Sequence, residues 1–273
     1  MTQQITGSIY DYPKLYDVLF SDTCRSEVKF LTAVFERFRK KEAASIFEPA
    51  CGPGRLLYHL AKLGFDVAGL DLNPRAVAFC NRRLKHHGFQ ESAHVGNMAS
   101  FSLADLNRKK KFDAAFNFVS SFLHLTTEAE AQQHLHAVAD VLKPGGIYLL
   151  GIHLKPRGIQ LCSQERWSMR RGSLSLQSHL QSLSQDLKRR IEIIEVRMEA
   201  ETPKQRYAIV DHFPLRIYTA KQFNALLRAV DRFEILETYS FDYDIANPIR
   251  ITANTEDIVY VLGVRIRKNM FAP

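Results

Sequence analysis

Two acidic residues stand 23 positions apart, each closing a short apolar run: Glu48 after Ser45-Ile46-Phe47, and Asp71 after Val67-Ala68-Gly69-Leu70. Behind Glu48 comes a turn-forming stretch, Pro49-Ala50-Cys51-Gly52-Pro53-Gly54-Arg55. Gly52 and Gly54 lack a Cβ, so the backbone there can turn tightly and approach a ligand closely. The N–H groups at the start of the next helix can face a polar or anionic group. A carboxylate such as Asp71 has two acceptor oxygens, suited to a pair of neighbouring hydroxyls. His124 and His153 are candidate bases, the first in Ser120-Ser121-Phe122-Leu123-His124-Leu125 and the second closing the apolar run Ile147–His153. No metal site is expected, because no cluster of His and acids has ligand spacing. The four cysteines, Cys24, Cys51, Cys80 and Cys162, form no C-x-x-C pair. Neither zinc nor a disulfide framework is therefore indicated, and a reducing, cytoplasmic setting is expected.

A glycine turn after a strand can serve two kinds of nucleotide. The dinucleotide fingerprint G-x-G-x-x-G requires a third glycine where this chain has Leu57. A pyrophosphate would also lie beside the Glu48 carboxylate, which is electrostatically poor. S-adenosylmethionine (SAM) has no phosphate and carries a sulfonium and an amino group, so a neighbouring acid favours it. The chemistry selects SAM as cofactor and disfavours a nicotinamide oxidoreductase.

The elements that must position these residues alternate along the chain. Strands are expected near 45–48, 67–70, 94–95, 112–118 and 147–153, with helices at 55–63, 74–87 and 127–142 between them. Pro74 suits a first helical turn, and Gly64 and Gly88 suit helix ends. Strand–helix alternation implies parallel pairing in a doubly wound sheet. After His153 the rhythm breaks into three β-like stretches near 167–180, 188–200 and 205–217 with no helices between them, which must pair antiparallel. A helix at 219–230 and strands at 232–241 and 257–267 follow. Residues 10–42 read as helical, with Val28, Leu31, Val34, Phe35 and Phe38 near one face. The fold class is α/β: a Rossmann-like, doubly wound, mostly parallel seven-stranded sheet with an inserted antiparallel cap sheet. Residues 1–43 would form a helical lid, 44–164 and 218–273 the SAM-binding domain, and 165–217 the cap.

On these motifs the chain resembles the class I SAM-dependent methyltransferases. Glu48-Pro49-Ala50-Cys51-Gly52-Pro53-Gly54 looks like their first motif, D/E-x-G-x-G-x-G, with Ala50 at the first glycine. Asp71 and Leu72 correspond to the second, whose acid accepts hydrogen bonds from both ribose hydroxyls. Gly96-Asn97-Met98 stands where the family commonly has an acid bonding the adenine amino group; Met98 would pack on the adenine face. Asn117 and Val119 follow the fourth strand, and Lys143-Pro144-Gly145-Gly146 resembles the family's turn before the fifth. Tyr10-Asp11-Tyr12-Pro13-Lys14-Leu15-Tyr16-Asp17 resembles a Y-D-x-x-x-Y-D lid, which implies that Tyr10 and Tyr16 close over SAM. Ser120–Leu125 is similar to a stretch of small-amine methyltransferases, including those acting on glycine or amino sugars. There His124 would meet the acceptor as base or hydrogen-bond partner; a histidine that merely packs is the other reading. His153 is a second base candidate.

The acceptor is expected to be a small molecule, methylated on nitrogen or oxygen, with the cap setting specificity. Arg171, Arg216 and Tyr218 are the substrate-binding candidates, the arginines as bidentate clamps for a carboxylate or phosphate. Exposed sheet edges also make the cap a candidate homodimer interface. The net charge of +8 is concentrated in residues 155–217, which carry 12 basic and 7 acidic side chains. That excess admits an RNA methyltransferase as an alternative, although no N/D-P-P-Y/F motif follows the fourth strand and no RNA-binding module is recognisable. A non-catalytic protein on the same fold is the other alternative. No apolar run approaches the roughly 20 residues of a membrane span, and the N-terminus lacks the basic-then-apolar pattern of a secretory signal.

Overall fold

The computed structural model describes residues 3–21, 24–38, 44–158 and 164–266. Residues 39–42 of the expected N-terminal helix, Cys162, and position 267 of the expected last strand lie outside them. The strands are β1 (Gln3–Thr6), β2 (Ser45–Pro49), β3 (Asp66–Asp71), β4 (Ala93–Val95), β5 (Phe112–Asn117), β6 (Leu142–His153), β7 (Gln164–Arg171), β8 (Leu174–Asp186), β9 (Ile191–Glu201), β10 (Arg206–Arg216), β11 (Phe233–Tyr239) and β12 (Asp257–Val264). The helices are α1 (Pro13–Leu19), α2 (Cys24–Phe38), α3 (Arg55–Lys62), α4 (Pro74–His86), α5 (Glu128–Val141) and α6 (Ala220–Val230).

Seven strands form the larger sheet in the order β11-β12-β6-β5-β2-β3-β4. The run from β6 to β4 is parallel, and β12 runs antiparallel between β6 and β11. Every residue of β5 is buried, as a central parallel strand covered on both faces requires. On one face α5 and α6 bury Leu135, Val138, Phe223 and Leu226. On the other, α2, α3 and α4 bury Phe30, Leu31, Leu57, Leu60 and Leu84. Side-chain caps mark three helix starts: Asn73 for α4, and capping boxes at Thr127 and Thr219 for α5 and α6. No helix among the described residues is long and apolar enough to cross a membrane.

Three details depart from the sequence-based expectation. The Lys143–Gly146 stretch is an irregularity within β6, where pairing jumps from Phe112–Leu142 to Ala114–Ile147. The stretch near 167–180 is two strands, split by a two-residue turn whose Gly172 has φ +60°, a hairpin signal. The N-terminal segment is not purely helical. Gln3–Thr6 pairs parallel with β10, completing a five-stranded sheet in the order β1-β10-β9-β8-β7. Four residues are too few to show a period, and a tertiary edge decides their conformation. Ile9, Leu15, Val18 and Leu19 then pack on that sheet's inner face against Leu176, Ile194, Val196 and Met198.

Candidate active site

The glycine turn lies at the carboxyl end of β2, where ligands bind in open α/β sheets. Its two glycines act differently. A Cβ on Gly52 (φ +52°) would meet nothing within 4 Å, and the residue lines an open cavity of about 540 Å³. A Cβ on Gly54 (φ +67°) would stand 2.1 Å from Cys80 Sγ, so this glycine lets α3 start against α4 and does not line the cavity. Ala50 is also left-handed, at φ +56°, a conformation that costs a side-chain-bearing residue roughly 1–2 kcal/mol. Such strain is commonly held at functional sites.

Asp71 joins the turn to the next motif. Its Oδ2 accepts from the Gly52 N–H at 2.7 Å and its Oδ1 from the Asn73 N–H at 2.8 Å. Burial raises its pKa, and these two bonds pull it back. Each oxygen keeps a further lone pair for a ligand hydroxyl. Glu48 is buried, and its Oε2 has no hydrogen-bond partner. Burial pushes its pKa well above the carboxylate range, with only partial relief from Arg55. Arg55 is itself engaged: Nη2 donates to Glu27 Oε1 at 2.8 Å, and Nη1 pairs with Oε2. The cavity thus contains a buried acid with one oxygen unpartnered.

Of the other residues expected to hold the cofactor, Tyr10, Tyr16, Leu72, Asn97, Met98 and Val119 also line this cavity. Asn97 Oδ1 accepts from the Ala99 N–H at 2.8 Å, so its oxygen first shapes the local turn. The Met98 carbonyl is held at 2.7 Å by His134 Nδ1, whose Nε2 lies 2.8 Å from the Tyr148 hydroxyl. The carbonyl can only accept, so Nδ1 carries the proton and Nε2 accepts from Tyr148. Burial lowers the His134 pKa to about 4, keeping it neutral. Asn117 does not reach the cavity; its Nδ2 donates to the Pro49 carbonyl at 2.7 Å and ties β5 to β2.

The segment before α1 lies across the opening. The Ile9 N–H donates to Asp211 Oδ2 at 2.9 Å, Asn73 Nδ2 donates to Asp11 Oδ1 at 2.8 Å, and the Tyr10 hydroxyl meets His124 Nε2 at 3.0 Å. Burial lowers the His124 pKa, leaving a neutral imidazole. Val119 and Ser120 are both left-handed (φ +55° and +57°); for a β-branched residue this is a genuine outlier. The reversal delivers the short helical turn Ser121–His124 to the lid. Tyr10, Tyr16, Val119 and His124 also border a second cavity of about 660 Å³ beneath the cap sheet. His153 lines that second cavity and not the first; its Nδ1 is 2.7 Å from Asp257 Oδ1.

The three substrate-binding candidates are not brought to either cavity. Arg171 pairs with Asp17 at 2.9 Å. Arg216 is buried, with Nη2 on Glu128 at 2.8 Å and Nε donating to the Tyr218 hydroxyl at 3.0 Å. Tyr218 is fully buried in the core under α6. Positions at the ends of an inserted segment anchor it to the sheet, so their side chains turn inward. The Glu27–Arg55 pair and Phe213, whose ring is 5.2 Å from that of His124, were missed. An acid on the apolar face of α2 was a usable signal for Glu27. Phe213 had none, since its contact spans the insertion.

A glycine turn, two carboxylates and the N-terminal tyrosines thus meet at one cavity on the carboxyl edge of a parallel α/β sheet. Residues 46–146 match the family described as "Methyltransferase domain". Over 142 residues the chain is 28% identical to the dTDP-3-amino-3,4,6-trideoxy-alpha-D-glucopyranose N,N-dimethyltransferase of Streptomyces venezuelae, covering 51% of this chain and 56% of the relative. Over 140 residues it is 31% identical to the dTDP-3-amino-3,6-dideoxy-alpha-D-glucopyranose N,N-dimethyltransferase of Streptomyces fradiae, covering 50% and 51%. The match spans about half the length of these relatives. A SAM-dependent methyltransferase structure from Clostridium acetobutylicum superposes with a TM-score of 0.74 at 15% identity, covering 93% of this chain and 97% of that one. Residues 46–146 thus match a methyltransferase domain, and the superposition shows that the chain shares the Rossmann-like fold of that structure.

Proposed function

We propose that the protein is a SAM-dependent methyltransferase acting on nitrogen or oxygen of a small-molecule acceptor. The observation that carries this reading is the buried, unpartnered Glu48 Oε2 in the same cavity as Asp71. An orphaned acid there suits a cationic nucleoside and opposes a pyrophosphate. Glu48 and Asp71 would hold the cofactor's cationic and ribose groups, Asn97 and Met98 its base, and Tyr10 and Tyr16 would cover it. SAM supplies, when bound, an electrophilic methyl group on sulfur. The chain's own contribution is alignment, exclusion of water and management of one proton. His124, neutral and bonded to Tyr10, borders both cavities and is placed to take that proton from the acceptor. The hydrogen bonds to Asp211 and Asn73 would hold the N-terminal segment beside the cofactor.

The basic excess of the cap does not favour RNA: Arg171, Arg190, Arg197, Arg206 and Arg216 are all in ion pairs with acids of this chain. Titration calorimetry with SAM, its demethylated product S-adenosylhomocysteine, and NAD tests the reading. Binding of the first two and not of NAD is expected; binding of NAD alone overturns it.

A further inference from the structure

The second cavity lies between the inner face of the cap sheet, the carboxyl ends of β5 and β6, and the amino end of the antiparallel β12. Leu180, Ile194, Val196 and Leu215 make its apolar floor. Aromatic rings make its walls: Tyr16 against Phe20 at 4.6 Å, Phe20 against Trp167 at 6.3 Å, and Tyr10 against Phe213 at 5.9 Å. Three carboxylates border it from separate strands, Glu165 on β7, Glu192 on β9 and Asp257 on β12. Glu256 stands behind them, 3.5 Å from His153 Nε2. Among the described residues the exposed Arg166 is the only lysine or arginine lining the cavity, and the one imidazole that pairs with its carboxylates is His153, 2.7 Å from Asp257. An independent feature also points inward: Ser178 lines the cavity, is 3% exposed, and its Oγ has no hydrogen-bond partner.

Aromatic faces beside carboxylates, over an apolar floor, recognise an organic cation. A diphosphate needs charge-matched donors, commonly arginines in bidentate pairs. Here Arg171, Arg190, Arg197, Arg206 and Arg216 of the cap are held by Asp17, Glu128, Glu199 and Glu201, none of which lines the cavity. We infer that the acceptor is an organic ammonium ion on an apolar, phosphate-free body, and not a nucleotide-linked sugar. This rests on the methyltransferase reading and narrows it. The ammonium first loses one proton to the neutral His124. The freed nitrogen lone pair then forms the N–C bond as the C–S bond breaks. That bond's electron pair returns to sulfur, and the product is the N-methyl ammonium. The carboxylates concentrate the cation, Ser178 Oγ offers its unused bonding capacity to the acceptor, and the aromatic wall directs the nitrogen toward the shared border at Tyr10 and His124.

The test titrates the full chain, first saturated with S-adenosylhomocysteine, with three probes by calorimetry at pH 7: phenethylamine, 2-phenylethanol and thymidine diphosphate. Phenethylamine should bind at least ten-fold more tightly than the alcohol, and thymidine diphosphate should give no binding heat. Glu165→Gln, on an exposed edge strand, and Asp257→Asn should each weaken the amine three-fold or more while leaving the alcohol unchanged. Equal affinity for amine and alcohol, absence of amine binding, or thymidine diphosphate binding more tightly than the amine overturns the inference. If S-adenosylhomocysteine itself does not bind, the methyltransferase reading falls, and the same three titrations on the bare chain still decide the chemistry of this cavity.

Discussion

Replacing Glu48 by Gln should move ligand affinity and fold stability in opposite directions. The Glu48 carboxyl is buried with one oxygen unpartnered, and burial holds its pKa well above the ordinary carboxylate range. A cation about 4 Å away, at an effective dielectric near 20, interacts with an ionised carboxylate by about 4 kcal/mol. Part of that offsets the ionisation of a group that burial keeps protonated. The net loss on Glu48→Gln is then about 2–3 kcal/mol, or roughly 30- to 150-fold in dissociation constant. In the ligand-free protein the sign reverses. The folded state holds the Glu48 proton to higher pH than the unfolded state does, so stability falls as pH rises between the unfolded and the raised folded value. Gln has no such slope. Thermal melts from pH 4 to 8 should show the ligand-free variant gaining on the parent as pH rises, while calorimetry shows weaker SAM binding. Undiminished affinity, or a ligand-free melting temperature below the parent's at neutral pH, would refute the reasoning.

Three further outcomes are expected. Gly54→Ala combines a Cβ 2.1 Å from Cys80 Sγ with a left-handed φ of +67° and should cost about 2–4 kcal/mol in urea unfolding; adding Cys80→Ala should recover the steric part, and a double variant no more stable than the single one disproves the contact. Asp71→Asn can accept only one of the two N–H bonds from Gly52 and Asn73 and should lose about 1.5–3 kcal/mol of stability together with nucleoside affinity; calorimetry showing unchanged affinity removes Asp71 from the ligand site. At His153, burial lowers the pKa, but the Asp257 bond and the charges of Asp257, Glu256 and Glu165 outweigh it and raise it. The stability this contributes is fully present below the unfolded pKa near 6.5 and is lost as pH rises through the raised folded value. His153→Gln should flatten the melting temperature across that window, and identical slopes in both proteins contradict the pairing.

The order of elements and the residues that gather at the Glu48–Asp71 cavity were legible because their signals are local. An apolar run, an acid and a glycine pair are written together at Ser45–Arg55, an apolar run, an acid and a helix cap at Val67–Pro74, and a parallel sheet brings successive strand ends to one edge. Ten of the twelve residues expected around the cofactor line one cavity on that account. Gly54 and Asn117 fall outside it because a glycine or an amide can serve packing as well as a ligand, and the local sequence does not distinguish these uses.

The local sequence determined that a mostly parallel α/β sheet would form, where its acids would stand, and that an antiparallel segment would interrupt it. Only the tertiary structure decided what that segment does. Its Arg171 and Arg216 read as an anionic clamp along the chain, yet they pair with Asp17 and Glu128 outside the cavity. Glu165, Glu192 and Asp257, distant in sequence, border the inside. Strand residues point alternately to opposite faces, and which face becomes the interior depends on what packs against it. Here that partner is the N-terminal segment, from β1 to α1, about 170 residues upstream along the chain.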